Sequence, residues 1–505
     1  MNDSVQKRVL SNYAIGFISF IISFMQAVIT VPILLKYWGN EIYGIWLSLF
    51  AGFTILQSFD FGHQSFIGNL LNVEYHVDKD TFAEYLGSSL SMAYFLGFIQ
   101  LAITFFLITS GYLNNFLGIS GDIISYKSVS ISIISLMLMW AVTGSIGGIL
   151  VKILIPAGYM AQSLIWGIIF KLFRFLSLIL VAIAGGKILQ ASIVYSIIQT
   201  VLAFFLFYYI KNKMPEFYPW WKSINLKLGF INLKKSSVLT INNILQQLST
   251  NGLVLFITNV YSAALVPAFT TVRTLTNSAT IFTNLFIQSI QPDLIKYHAK
   301  KEIVKLRSTL SANWFFSGLV VNIGLILIIP FAGAIFKIWT KGLIDFDFKL
   351  FICLVASISF INFGAGLYNY IYGINNLYAV SVITISRVII LFVIAYFLSG
   401  IMELSGIGVA ILISEIVASM ILPFIFVQNL FKSSDEKLDI RMSITAAIPP
   451  VIILVLSIIS LSGMGFNYYI WGITVLFIFS IYIYNWVILD DEVKDRSRKL
   501  IRNLL

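Results

Sequence analysis

The chain has 505 residues, of which 59% are hydrophobic and 11% are charged, whereas roughly one-quarter of a soluble domain is charged. These proportions exclude a water-soluble fold. The net charge of +11 would suggest nucleic acid in a soluble protein, but here the basic residues flank hydrophobic runs, where they orient a membrane protein; nucleic acid is not implied.

Lys7 and Arg8 precede an apolar run from Ser11 to Leu35 without a small-residue cleavage site. It is too long for a signal-peptide core and reads as the first permanent span. Apolar runs against charged or turn-rich breaks then give fourteen spans, at 11–35, 42–65, 85–110, 124–150, 163–184, 189–210, 236–259, 264–291, 308–336, 350–371, 376–399, 406–428, 442–461 and 467–489. Each is long enough to cross a ~30 Å hydrocarbon core. The expected fold class is an all-α polytopic membrane protein. Residues Lys211–Lys235 carry six lysines, Pro215, Pro219 and the pair Trp220–Trp221, and read as a basic interfacial linker. Six spans, a connector, six spans and a final pair suggest an N-lobe at 1–210, a linker at 211–235, a C-lobe at 236–430 and two appended helices with a basic tail at 431–505, as in transporters built from repeats.

Lysine and arginine alternate in density between successive breaks, with 23 on the side of the termini and six (Lys36, Lys127, Lys187, Lys337, Lys341 and Lys349) on the other. Positive charge accumulates on the cytoplasmic side, so both termini are expected there. Labels attached at Lys222 and at Lys341 are expected to report opposite faces of the membrane; finding both on one face would defeat the fourteen-span reading. The single cysteine, Cys353, lies in an apolar run and reads as a small hydrophobe.

Ionisable residues inside spans cost about 2.5–3.5 kcal/mol each at a helix centre on insertion scales, so each is a functional candidate. The cations are Lys171 and Arg174 in span 5, Arg273 in span 8 and Arg387 in span 11; the acids are Asp60 and Glu415 in spans 2 and 12. Arg174 and Arg387 each lie eleven residues into their spans, roughly 16 Å deep at 1.5 Å per residue. If the lobes are equivalent, these two face each other across the lobe interface. A guanidinium stays protonated when partly dehydrated and offers a planar fork to phosphate oxygens, which suits a diphosphate at mid-membrane. The competing reading pairs the cations with acids, as Arg273–Glu415 or Arg387–Glu415, to hold the bundle together. Lys171, ~12 Å from the boundary, can also snorkel outward.

Asp60 lies in Ser58–Phe–Asp–Phe–Gly62–His63. The Asp–Phe–Gly of protein kinases occurs here without a Gly-rich loop, a His–Arg–Asp or a soluble fold, and is coincidental. Asp60 and His63 share a helix face and can exchange a proton near neutral pH, which makes them, with Glu415, ion-coupling candidates; a local helix cap is the plain alternative for the first two. Asn242, Asn243, Gln246 and Gln247 in span 7 and Asn277 in span 8 belong to a concentration of amides and hydroxyls suited to a hydrated cavity that binds sugar hydroxyls, although interhelical hydrogen bonds also use such groups. Gly144, Gly147, Gly148, Gly364 and Gly366 read as close-packing or bending points. There is no Walker lysine motif, no His–Glu–x–x–His and no Gly–x–Ser–x–Gly, so ATP hydrolysis, zinc and serine-hydrolase chemistry are not expected, and no cofactor or metal is implied.

Three motifs carry a family likeness: Tyr37–Trp–Gly–Asn–Glu–Ile–Tyr–Gly–Ile–Trp46 entering span 2, Phe59–Asp–Phe–Gly62 closing it, and Gln291–Pro–Asp293 where span 8 meets a basic loop. With their order and spacing in fourteen spans, the chain resembles the Wzx-type O-antigen and polysaccharide-repeat flippases of the multidrug/oligosaccharidyl-lipid/polysaccharide exporter superfamily. The resemblance implies a two-lobed, MATE-like bundle with a central cavity in a bacterial inner membrane. It also implies alternating access, an undecaprenyl-diphosphate-linked oligosaccharide as cargo, H+ or Na+ as coupling ion, and work alongside a polysaccharide polymerase and chain-length machinery. A lipid II flippase, a cation-coupled drug exporter and a membrane glycosyltransferase are the competing expectations. The glycosyltransferase would carry a large extramembrane loop, and the outward-facing breaks here are short.

Overall fold

The computed structural model describes residues 3–119, 123–432, 438–462, 468–491 and 493–495, without the side chains of 3–14, 17 and 20. The side chains of Lys7 and Arg8 are among those not described, and Lys437 and the basic tail residues Arg496, Arg498, Lys499 and Arg502 lie outside the described residues. Among those described there are helices and turns and no β-strand. The helices are α1 (Asp3–Val77), α2 (Lys79–Thr109), α3 (Leu113–Leu117), α4 (Tyr126–Met139), α5 (Ser145–Ile153), α6 (Met160–Ile183), α7 (Ile188–Lys213), α8 (Leu226–Gln247) and α9 (Leu253–Val260). They continue as α10 (Val266–Asn277), α11 (Thr280–Ala299), α12 (Ile303–Ile328), α13 (Ala332–Thr340), α14 (Phe348–Gly373), α15 (Leu377–Glu415), α16 (Leu422–Lys432), α17 (Ile440–Leu461) and α18 (Tyr468–Ile488). Single π-helical turns join α4 to α5 (Trp140–Gly144), α8 to α9 (Leu248–Gly252) and α15 to α16 (Ile416–Ile421).

Among the described residues ten helices are long and apolar enough to cross a membrane, and the chain is a multi-pass α-helical membrane protein. Two of the ten each hold two of the expected spans. α1 breaks at Gly39, where φ is 69°, and α15 breaks at Glu403, where φ is 48°. The polar expected spans 7 and 8 correspond to Leu226–Val260 and Val266–Ala299, which are helical but not among the ten. Phe98, Phe105, Phe106, Phe204, Phe205 and Phe397 are exposed; so much exposed aromatic surface fits a hydrocarbon solvent.

The chain divides into two compact units, one of residues 1–267 with Trp339–Ile344, the other of 268–338 with 345–505. In the first, α1 packs along α2, α6 and α8. Gly62 lies directly against α8: a Cβ there would stand 2.2 Å from the Thr240 backbone nitrogen, so any side chain would push the helices apart. At the entry motif Trp38 donates to the Gly186 carbonyl (2.8 Å), and a Cβ on Gly44 would collide with the Ala263 carbonyl. The basic linker docks by its aromatics. Phe217 packs on Phe82 with ring centroids 4.5 Å apart, and Trp220 buries in the core with Leu86 and Ile210, while Trp221 stays exposed. Asp78 caps α2, and bonds from the Thr81 hydroxyl and the Asp80 and Thr81 amides hold its carboxyl below the usual carboxylate range.

In the second unit α14 is buried along most of its length, against α11, α12, α15 and α17. Gly364 lets the Ser419 carbonyl of the π turn press onto α14. The last helix, α18, is fastened by polar contacts: the Asn322 amide donates to Tyr482 Oη (2.8 Å) and accepts from Ser359 (2.5 Å), and Trp471 donates to the Ile326 carbonyl (2.8 Å).

Candidate functional site

A cavity of about 250 Å³ lies within the first unit, near the lower end of ligand pockets at roughly 300–1,000 Å³. Its walls come from α1 (Gln57), the π turn and start of α5 (Trp140, Thr143, Gly147), α6 (Trp166, Arg174) and α7 (Tyr195, Gln199). The π turn matters here, because an extra residue per turn displaces side chains from the helical ladder and opens the wall. Gly148 is a close-packing point, where a Cβ would overlap the Gln64 amide, whereas a Cβ on Gly147 would meet only Phe207, at 3.8 Å. Arg174 is the only Lys or Arg among the lining residues, and its guanidinium stands 5.8 Å from the Tyr195 ring centroid. No ion pair to it is found among the described residues. A guanidinium on a buried aromatic face is oriented without being neutralised, so its donors remain available to an anion. Lys171, one turn away, donates to the hydroxyls of Ser19 (3.2 Å) and Ser23 (3.3 Å).

Behind this wall is a buried polar cluster. Asp60 and His63 are fully buried. Gln64 donates to Asp60 Oδ2 (3.0 Å), and Lys152 Nζ donates to the Gln64 carbonyl (2.8 Å). Ser145 and Trp140 flank the carboxylate, whose Oδ1 has no hydrogen-bond partner among the described residues. His63 Nδ1 meets Ser236 at 3.4 Å and Nε2 has no partner there. Trp140 and Gly148 touch both cluster and cavity. Lys152 was invisible as a member from sequence, since it reads as a loop lysine after span 4; its partners come from α1, nearly ninety positions earlier.

In the second unit Arg387 and Glu415 form an ion pair with two contacts, Nε–Oε1 at 2.9 Å and Nη2–Oε2 at 3.1 Å. Arg387 also donates to Ser419 (3.0 Å), and Ser419 donates to Glu415 Oε2 (2.5 Å). Glu415 ends α15 and Ser419 sits in the π turn, so the turn places both on the arginine's side. Arg273 stands 5.8 Å from the Phe269 ring and lies within the field of Glu415.

The amides expected to meet sugar are spread out. Asn242 is buried, Asn243 is half-buried, and Gln246 and Asn277 are exposed. Gln247 accepts from Asn251 at 2.6 Å. None of the five lines the 250 Å³ cavity.

No family model matches the sequence, and no curated protein matches it. Solved structures do. An inward-facing multidrug resistance MATE family transporter of the MOP superfamily is 17% identical, with 84% of this chain and 99% of that one covered and a TM-score of 0.60. The MATE multidrug transporter DinF-BH is 14% identical over 84% of this chain and 95% of that one, at a TM-score of 0.61. The lipid II flippase MurJ in an inward closed conformation is 15% identical over 97% of this chain and 99% of that one, also at 0.61. The chain has the fold that these MATE transporters and MurJ share.

Proposed function

We propose that the chain is a flippase that carries an undecaprenyl-diphosphate-linked oligosaccharide, an O-antigen or similar surface-polysaccharide repeat unit, from the cytoplasmic to the periplasmic leaflet of a bacterial inner membrane by alternating access. The observation that carries this reading is Arg174 on the wall of an intramembrane cavity with no acid paired to it among the described residues. An uncompensated guanidinium at that depth has a use if an anion visits it, and the diphosphate is the anionic part of such a cargo. Lys171 adds a second cation on the same helix.

A cation exporter would be better served by an acid facing its cavity. Here Asp60 lies behind the wall with Gln64 and Lys152, and Glu415 is engaged by Arg387. MurJ matches 97% of this chain and the two MATE transporters 84%, which agrees with a flippase-length bundle. The test is disruption in a host whose surface glycan is known. Accumulation of the completed repeat unit on undecaprenyl diphosphate, facing the cytoplasm, supports the reading; accumulation of lipid II, or sensitivity to cationic drugs with normal glycan, opposes it.

We infer that coupling runs through Asp60, the buried carboxylate whose Oδ1 has no hydrogen-bond partner among the described residues. Asp60→Asn is expected to abolish stimulation of transport by a proton or sodium gradient while the protein still inserts, read as initial rates with and without the gradient. Unchanged stimulation removes Asp60 from the cycle.

A further inference from the structure

A second cavity, of about 610 Å³, lies wholly within the second unit, where α11, α12 and the residues following α18 meet. Its lining is graded. At the end nearest the Ala299–Ile303 turn stand Tyr297, Lys305, Asp490 and Asp491; one or two turns further along α12 come Ser308, Thr309 and Asn313; beyond them lie Phe286 and Phe316. Lys305, Thr309 and Asn313 follow an i, i+4, i+8 row, so charge gives way to hydroxyl and amide, and then to aromatic surface, over roughly 16 Å. Asn313 is 3% exposed, and neither its Nδ2 nor its Oδ1 has a hydrogen-bond partner among the described residues. A buried amide with both ends unused is costly, and a ligand in the cavity would recover part of that cost.

We propose that this cavity binds a phospholipid with a primary-amine headgroup, one molecule of the membrane itself, as a site separate from the transported cargo. The order of the lining is the order of such a lipid. Its ammonium meets Asp490 and Asp491, its phosphate meets Lys305, its glycerol esters meet Thr309 and the Asn313 amide, and its acyl chains run over Phe286 and Phe316. Lys305 already holds Glu302 at 2.9 Å and Lys494 holds Asp491 at 3.0 Å, so the headgroup joins a band of alternating charge. The two aspartates select an ammonium that can donate three hydrogen bonds over a trimethylated one that donates none, and they repel a diphosphate.

The experiment is native mass spectrometry of the full-length protein, exchanged into mixed micelles with phosphatidylethanolamine, phosphatidylcholine or phosphatidylglycerol of identical chains. The wild type is expected to retain phosphatidylethanolamine about tenfold better than phosphatidylcholine, the difference of one charge-assisted hydrogen bond. Asp490→Asn with Asp491→Asn should erase that preference, and Asn313→Leu should lower retention of every lipid. Equal retention of the three lipids by the wild type, a preference for phosphatidylglycerol, or an unchanged preference in the double aspartate variant overturns the proposal. The wild-type comparison decides it even if a variant fails to insert.

Discussion

Arg174→Ala is expected to lower translocation of a diphosphate-linked glycan by about ten- to a hundredfold, the loss of one charge-assisted hydrogen bond at about 1.5–3 kcal/mol. Membrane levels should barely change. The side chain is exposed and pairs with no acid among the described residues, so truncation leaves no buried charge, and only the contact with Tyr195 is lost, ~0.5–1 kcal/mol at an exposed site. Arg174→Lys separates charge from geometry: a point charge restores the potential but not the planar fork, and it is expected to fall nearly as far as alanine. The measurement is the rate of surface-glycan appearance at matched protein level. Lysine with wild-type rate would reduce the role of Arg174 to simple positive potential.

The opposite pattern is expected at Arg387. Either Arg387→Met or Glu415→Gln alone should destabilise the protein by about 3–5 kcal/mol, because the survivor of a largely buried pair is left unmatched. The pair Arg387→Met with Glu415→Met should recover most of that loss, since exchanging both charges for apolar groups removes the desolvation cost together with the attraction. Melting temperatures in detergent, read for both singles and the double, test this. Transport by the double variant adds a second reading: near-normal transport places Arg387 with the bundle contacts, whereas a stable but inactive double variant would put it on the cargo.

The span pattern was legible because lipid exposure leaves its mark on composition. Lys36, Asn40 and Glu41 interrupt the apolar runs around the Gly39 break, and Glu403 stands at the break in α15. Hydropathy missed the polar extensions. α8 begins at Leu226 rather than 236 because Asn225 caps it, accepting from the Leu228 amide, and α2 begins at Lys79 because Asp78 does the same work there. The choice between partnered and unpartnered arginines was not legible. Arg174 and Arg387 look alike in depth and surroundings along the chain, and only the π turn that carries Ser419 beside Glu415 separates them. Likewise Asp60 is readable as a buried acid, but its link to Lys152 through Gln64 depends on how α5 crosses α1. Gly62 stands in a sequence motif, but its physical reason, the passage of α8 at Thr240, lies in the packing.

The most direct measurement is translocation by the purified protein in proteoliposomes, with undecaprenyl diphosphate bearing a labelled oligosaccharide in the outer leaflet and leaflet exchange followed by an impermeant probe. Protein-dependent exchange of this lipid, lost in Arg174→Ala and absent for a cationic dye, is the expected result. Exchange unaffected by Arg174→Ala would contradict the placing of the diphosphate on Arg174, and dye transport with no movement of the lipid-linked glycan would contradict the reading of this chain as a flippase for a diphosphate-bearing cargo.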